Sequence, residues 1–386
     1  MSRIAFVSET WAPEINGVAH TLGHLAGHLA GRGFELQLVR PRPRNGMHDA
    51  NMSDELHIGS IAIPDYDGVS MGIPAPFKLR KLWHEHRPDI VYIATEGPLG
   101  LSALRTARAL RIPVISGFHT NFDQYSKHYI LLKVLRPFVR PYLRRFHNRT
   151  AITLVPTQAQ ADTLAQYGYH NVEVMSRGLD CQHFSPAHRD TTLRAQWGAD
   201  DDRPVALYVG RLAAEKNVDL LARTLEAMRE RCPGLTAVLV GDGPQRQHLE
   251  RRLPWARFAG FQVGKTLARY YASADMFIFP SLSETFGNVV TEAMASGLAI
   301  VAFDYAAAAE LIEDNVQGRL AACDDAKGFV DAAVSLCDDM PTVKRLGQAA
   351  RKTAEPLAWH RVGDIFIHYL HQAQEVGDGR SHISSI

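Results

Sequence analysis

What most constrains this chain is an alternation repeated along nearly its whole length. A short apolar run, of the length of a buried parallel strand, is followed by a polar turn and then by a segment with helical spacing. Residues 4–7, 34–39, 89–94, 113–118 and 152–156 supply such runs in the first half, and 205–209, 235–240, 276–279 and 298–302 in the second. Helical stretches lie between them, among them 18–32, 157–167, 218–229 and 288–296; Gly33, Gly168 and Gly297 close three of these. Alternation of this kind builds βαβ units, whose right-handed crossovers leave neighbouring strands parallel. The expected fold class is therefore α/β with doubly wound sheets. At 386 residues the chain exceeds what one ordinary core holds, so two domains are expected.

Composition narrows the partners. Basic and acidic residues nearly cancel, 42 against 41, so no global field draws the chain to nucleic acid. No apolar run approaches the ~20 residues of a membrane span. Met-Ser-Arg leads straight into a strand-like run rather than the apolar stretch of a signal peptide. Cys181, Cys232, Cys323 and Cys337 show no CxxC spacing, so reduced thiols in a cytoplasmic protein are expected rather than disulfides or zinc. His20, His24 and His28 would line one side of the first helix. Imidazoles so placed span about two turns, too far for one ion, and packing or surface roles are expected.

In a doubly wound sheet, ligands gather beyond the carboxyl ends of the strands, and the chemistry-bearing residues fall there. After 276–279, Glu284 lies in the loop and Glu292 inside the helix that follows. The amides of Phe286, Gly287 and Asn288 open that helix, whose positive dipole end favours an anion. Two carboxylates so spaced are also common as a cap and a surface charge. After 205–209 come Arg211 and Lys216, the forked donor and the point charge that a diphosphate requires; a surface arginine paired with Glu215 is the plainer alternative. Gly17 precedes the first helix, where a phosphate site and an ordinary turn would both call for glycine. His119 ends the strand 113–118 and is placed for ligand contact. No GxGxxG follows the first strand, which argues against a dinucleotide-dependent dehydrogenase.

Taken together these residues resemble a known family. Glu284 and Glu292, with Phe286-Gly287 just after the first, are similar to the E-x7-E signature of the retaining glycosyltransferases of family 4. Gly210-Arg211-x4-Lys216-Asn217 is similar to that family's diphosphate motif, FHTNFDQY at 118–125 to its FHT motif, and PEINGV at 13–18 to the glycine loop of its lipid-glycosylating members. The resemblance covers nearly the whole chain. It implies the GT-B fold, two doubly wound Rossmann-like domains facing a deep interdomain cleft. The acceptor-side domain would span 1–185 and the nucleotide-sugar domain 186–360, with a helix crossing back over 361–376 and a polar tail, expected to be disordered, over 377–386.

The resemblance also implies the reaction. A hexose would pass from a UDP- or GDP-linked donor to an acceptor hydroxyl with retention at the anomeric carbon, with no metal or other cofactor. His119, Glu284, Arg211 and Lys216 are the expected catalytic residues. Arg211 and Lys216 would hold the diphosphate, Glu292 the ribose hydroxyls, and Glu284 with the amides of Phe286, Gly287 and Asn288 the sugar. Gly17 would face the diphosphate, His119 the transferred sugar, and residues 258–261 the base. Double displacement would need a carboxylate nucleophile that the sequence does not assign; front-face departure and attack, with electrostatic stabilisation of the leaving diphosphate, is expected instead. The chain departs from the family at Asn16-Gly17, where two glycines are common, and at 304–309, where Asp304-Tyr305-Ala306-Ala307-Ala308-Ala309 replaces paired glycines.

The acceptor is addressed by one further stretch. Between Asp123 and Asp162 there is no acidic residue, while Lys127, Lys133, Arg136, Arg140, Arg144, Arg145 and Arg149 interleave with apolar side chains. Pro137 and Pro141 argue that a helix here is broken or begins late. The stretch 127–149 reads as an anionic-membrane surface or as an ordinary solvated helix face. A membrane lipid such as diacylglycerol or a glycolipid, met on the cytoplasmic face, is the first expectation for the acceptor. A soluble or polysaccharide acceptor, and a non-catalytic sugar-nucleotide-binding protein, are the alternatives.

Overall fold

The computed structural model of the chain describes residues 2–14, 17–43, 48–62, 70–118, 130–200, 203–284 and 286–377. Asn16, residues 119–129, which include His119 and the first residues of the basic stretch 127–149, and the tail 378–386 lie outside the described residues. The chain forms two compact units, Met1–Gly178 with Trp359–Ile386, and Leu179–Ala358.

The strands of the first unit are, in chain order, β1 (Arg3–Val7), β2 (Glu35–Pro41), β3 (Asp54–Ile58), β4 (Ser60–Ala62), β5 (Ser70–Gly72), β6 (Ile90–Ile93), β7 (Val114–Gly117), β8 (Ile152–Val155) and β9 (Val172–Val174). Seven of them form one sheet in the order β3-β2-β1-β6-β7-β8-β9, every pairing parallel; β4 and β5 pair antiparallel. The second unit has β10 (Val205–Val209), β11 (Thr236–Val240), β12 (Arg257–Gly260), β13 (Met276–Phe279), β14 (Ala299–Phe303) and β15 (Gly318–Ala321) in one parallel sheet, order β12-β11-β10-β13-β14-β15. In each sheet the winding reverses once, between β1 and β6 in the first and between β10 and β13 in the second. A crevice opens where the crossovers on either side of a reversal diverge.

The central strands read as continuous apolar runs because both their faces are covered. Val205–Val209, Thr236–Val240, Met276–Phe279 and Ala299–Phe303 are buried at every position. The edge strand β3, DELHI, is only half-buried and carries no such run. Among the described residues between 40 and 72 the chain forms β3, β4 and β5, none of which carries a continuous apolar run. The helix Pro76–Glu85 has a similarly faint pattern, with Leu79 and Trp83 as its buried residues. At the basic stretch the backbone forms one helix, Ile130–His147, straight through Pro137 and Pro141, rather than a broken one. Prolines four apart remove bonds from a single i→i−4 row and leave the neighbouring rows intact.

The C-terminal helix Trp359–Gly377 belongs to the first unit. Phe366 and Leu370 enter the core beside Phe6 and Tyr92. The histidines of helix Gly17–Gly31 help to dock it: His24 stacks on Trp359 at 4.4 Å and His28 lies 2.9 Å from Asp364, which also takes Arg32 at 2.6 Å. No helix among the described residues is long and apolar enough to cross a membrane.

Candidate active site

The second unit gathers most of the expected site at the β10–β13 reversal. Its loops touch closely: a Cβ on Gly241, after β11, would stand 1.9 Å from the Gly210 carbonyl oxygen, so only glycine fits there. Across the reversal itself, the Asn217 amide donates to the Pro280 carbonyl at 3.3 Å, and the Ser283 hydroxyl donates to the Glu215 carbonyl at 2.7 Å. These bonds lash the loop after β10 to the loop after β13.

Lys216 and Glu284 meet in this clasp. The Lys216 ammonium donates to Glu284 Oε1 at 2.5 Å, with side chains 21% and 17% exposed. Ser281 Oγ donates to the same oxygen at 2.8 Å. Arg211 does not join them. Its guanidinium is 65% exposed and bonds Glu215 at 3.2 Å, while its carbonyl is held by the Tyr208 hydroxyl at 3.0 Å. The backbone of Arg211 is thus fixed at the rim, and its long side chain reaches into solvent.

The helix Asn288–Ala295 begins where an anion would be received. Gly287, its N-cap, is left-handed at φ 94°, a conformation that a Cβ would strain. Phe286 is 1% exposed and buries its ring, which leaves its backbone as the part available to a ligand. The first-turn amides of a helix have no intrahelical acceptor, and Asn288 Oδ1 is buried without a hydrogen-bond partner. One turn further in, Glu292 accepts from the fully buried Tyr271 hydroxyl at 2.9 Å. Burial pushes the Glu292 carboxyl up to about 7, with the Tyr271 bond pulling weakly the other way.

Sequence reasoning missed how this loop is held from the side of β14. The Tyr305 hydroxyl donates to the Glu284 carbonyl at 3.1 Å, and the Ala307 amide to the Phe286 carbonyl at 2.8 Å. Between them Ala306 sits at φ 52°, ψ −128°, a region in which a Cβ is strained. A residue held there against its preference marks a backbone fixed by its neighbours.

In the first unit, Gly17 opens the helix Gly17–Gly31, and a Cβ on it would lie 2.8 Å from Arg177 Nη1, a cation the sequence reading passed over. At the β1–β6 reversal the charges are of the other sign. Glu9 accepts from the Leu99 amide at 3.2 Å at the start of helix Pro98–Ala109. Burial, with the nearby Glu96, pushes Glu9 up to about 7 against that bond. Glu96 bonds the fully buried His147 at 3.1 Å, and His147 bonds Ser116 at 2.9 Å on its other nitrogen. Neither acid has a periodic pattern around it to betray its burial. Among the described residues, His48, Glu55 and His57 also come within metal-ligand reach of one another, but Glu55 already holds Arg40 at 3.2 Å and the Asp49 amide at 2.5 Å.

Known proteins resemble this chain along its length. Residues 15–183 match the family described as Glycosyltransferase Family 4, and residues 203–339 the family described as Glycosyl transferases group 1. A GDP-mannose-dependent alpha-mannosyltransferase of Mycolicibacterium smegmatis is 33% identical over 95% of this chain and 96% of its own. An alpha-monoglucosyldiacylglycerol synthase of Streptococcus pneumoniae is 28% identical over 82% of this chain and 75% of its own. The crystal structure of Anabaena HepE in complex with UDP and glucose superposes with a TM-score of 0.73 at 19% identity, covering 96% of this chain and 100% of that one. At that identity the likeness speaks for the fold.

Proposed function

We propose a reading that starts from one premise: the chain belongs to glycosyltransferase family 4 and is a glycosyltransferase. The reaction proposed is transfer of a hexose from a nucleotide diphosphate sugar to a lipid hydroxyl, with retention at the anomeric carbon. The observation that carries it is the clasp at the β10–β13 reversal, where Lys216, Glu284 and the start of helix Asn288–Ala295 converge. A leaving diphosphate must shed charge. Lys216 is the cation nearest that loop and Arg211 the flexible one at its rim; together with the helix dipole they offset the charge with no metal or other cofactor. Glu292 takes the ribose hydroxyls, Glu284 and the amides of Phe286, Gly287 and Asn288 take the sugar, and Gly17 and His119 are assigned to the diphosphate and the transferred sugar.

Mannose from GDP-mannose is the first donor to test, since several relatives at 30–33% identity carry that specificity in their names. A glucosyl donor is the second reading, from the diacylglycerol-directed relative. For the acceptor we favour a membrane lipid on the cytoplasmic face. That relative supports it, as does a cluster of exposed arginines on the first unit: Arg145, Arg108 and Arg105 crowd Arg149 enough to pull its affinity for a proton down. Anionic headgroups would relieve such repulsion.

The test is transfer of labelled sugar from GDP-mannose or UDP-glucose to vesicles containing diacylglycerol, with and without anionic lipid. An α-linked glycolipid, formed faster on anionic vesicles, is the expected product. Transfer to soluble saccharides alone would move the acceptor into solution, and failure to hydrolyse any donor would leave a binding protein.

A further inference from the structure

The amino-terminal side of the second sheet carries a separate cavity of about 730 Å³. Its walls come from the segment before helix Thr191–Trp197, the ends of helices Gly264–Ser273 and Asn288–Ala295, and one face of helix Met340–Ala354. It lies before β13 and β14, whereas Lys216, Glu284 and the amides of 286–288 lie after β10 and β13, so the two places sit at opposite strand ends.

The charge inside is lopsided. Arg189, Arg351, Lys344 and Lys352 line the cavity against Asp275 and Glu355. Both acids are spoken for. Asp275 bonds Arg189 at 2.9 Å and Arg194 at 3.0 Å, and Glu355 bonds Arg351 at 3.3 Å. The carbonyls that would repel an anion are also occupied: Arg189 caps those of Ala272 and Ala274, and Arg351 caps that of Ala295 at 2.6 Å. Beyond these, the lysines are donors only, Gln348 is both donor and acceptor, and Glu355 keeps one carboxylate oxygen outside its bond to Arg351. Lys344, Gln348 and Lys352 repeat at four-residue spacing along the exposed face that borders the cavity. Exposed lysines on a helix commonly take a carboxylate one turn away; among the described residues neither Lys344 nor Lys352 has an ion pair, and glutamine stands between them. Ser296 adds a hydroxyl that is buried with no hydrogen-bond partner.

From this we infer that the cavity is a second anion site, taking a phosphate monoester between the Lys344 and Lys352 ammonium groups. The Lys344 and Lys352 Cα atoms are about 12 Å apart along the helix, and their flexible stems let both ammonium groups close on one dianion. The volume leaves space for a small organic body beyond the phosphate. The phosphate could belong to a soluble metabolite or to a lipid headgroup, and the two sources separate experimentally.

The probe is inorganic phosphate, read as melting temperature against a chloride control of equal ionic strength. Wild type should gain about 3 °C at saturating phosphate, and the Lys344→Glu, Lys352→Glu double variant nothing. Lys216→Ala, at the other end of the sheet, should keep the gain, which separates this cavity from the proposed donor site. In a second arm, vesicles of phosphatidylcholine with and without phosphatidic acid are sedimented with both proteins. Binding that needs phosphatidic acid and is lost in the double variant assigns the site to a headgroup, and a response to free phosphate alone assigns it to a soluble ester. If the double variant matches wild type in both arms, or chloride reproduces the shift, the inference is overturned.

Discussion

The two sheet reversals share a topology and differ in their electrostatics. At β10–β13 a lysine and a glutamate meet in a loop beside a helix start, with an arginine at the rim. At β1–β6 a glutamate is pressed against a helix start next to a second acid, and its proton is held up to about neutrality. The first arrangement suits a polyanion, because its own carboxylate neutralises the cation only until a stronger anion arrives. The second offers an anion no cation in the described loops after β1 and β6, and the nearest counter-charge to Gly17 is the Arg177 guanidinium from elsewhere in the first unit. The parallel sheet supplies a crevice at each reversal, and the side chains at the strand ends decide what charge it accepts.

The largest expected effect strikes the cationic side alone. Lys216→Ala and Arg211→Ala should each lower donor turnover by about 100-fold or more, with melting temperature little changed for the exposed Arg211. Steady-state kinetics beside calorimetry checks this; wild-type turnover in both variants would erase the contrast between the reversals. Next comes the acid on the same side. Burial holds the Glu292 carboxyl up to about 7, and in the proposed donor site ribose hydroxyls would donate to its ionised form, so donor affinity should rise with pH through about 7 and then level off. Glu292→Gln should flatten that profile and weaken binding about tenfold. Donor titrations between pH 5.5 and 8.5 read both.

The carboxylate side makes a stability prediction instead. Glu9 is raised above its usual value, so its protonated form favours the fold: that contribution is complete below about 4.5 and is lost as pH rises through about 7. Glu9→Gln, neutral at every pH, should melt a few degrees above wild type at pH 8 and with it at pH 4.5. A constant offset would place the effect in packing rather than in the proton. The smallest effect belongs to the strained turn that braces the Glu284 loop. Ala306→Gly should stabilise by about 1 kcal/mol, seen as a rise of roughly 2 °C.

Much of the cationic reversal was legible from the sequence. Strands buried on both faces leave continuous apolar runs, and the loops that follow them announce Arg211, Lys216, Glu284 and Gly287 by position. The brace from Tyr305 was not, since a hydroxyl reaching the Glu284 carbonyl depends on how β14 lies beside β13. Glu9 escaped for the same reason. Its burial is set by Gly97, beside which a Cβ would collide with the Glu9 carboxylate, and no local pattern ties residue 9 to residue 97. Edge strand β3 and helix Pro76–Glu85 were faint because each buries little.

The proposed function requires the second unit to grip a diphosphate at its reversal through Lys216. Isothermal titration of GDP and UDP into wild type, Lys216→Ala and Glu9→Gln at fixed ionic strength tests it most directly. The better of the two nucleotides should bind Lys216→Ala about 100-fold more weakly and Glu9→Gln unchanged. Equal affinity for wild type and Lys216→Ala would contradict it.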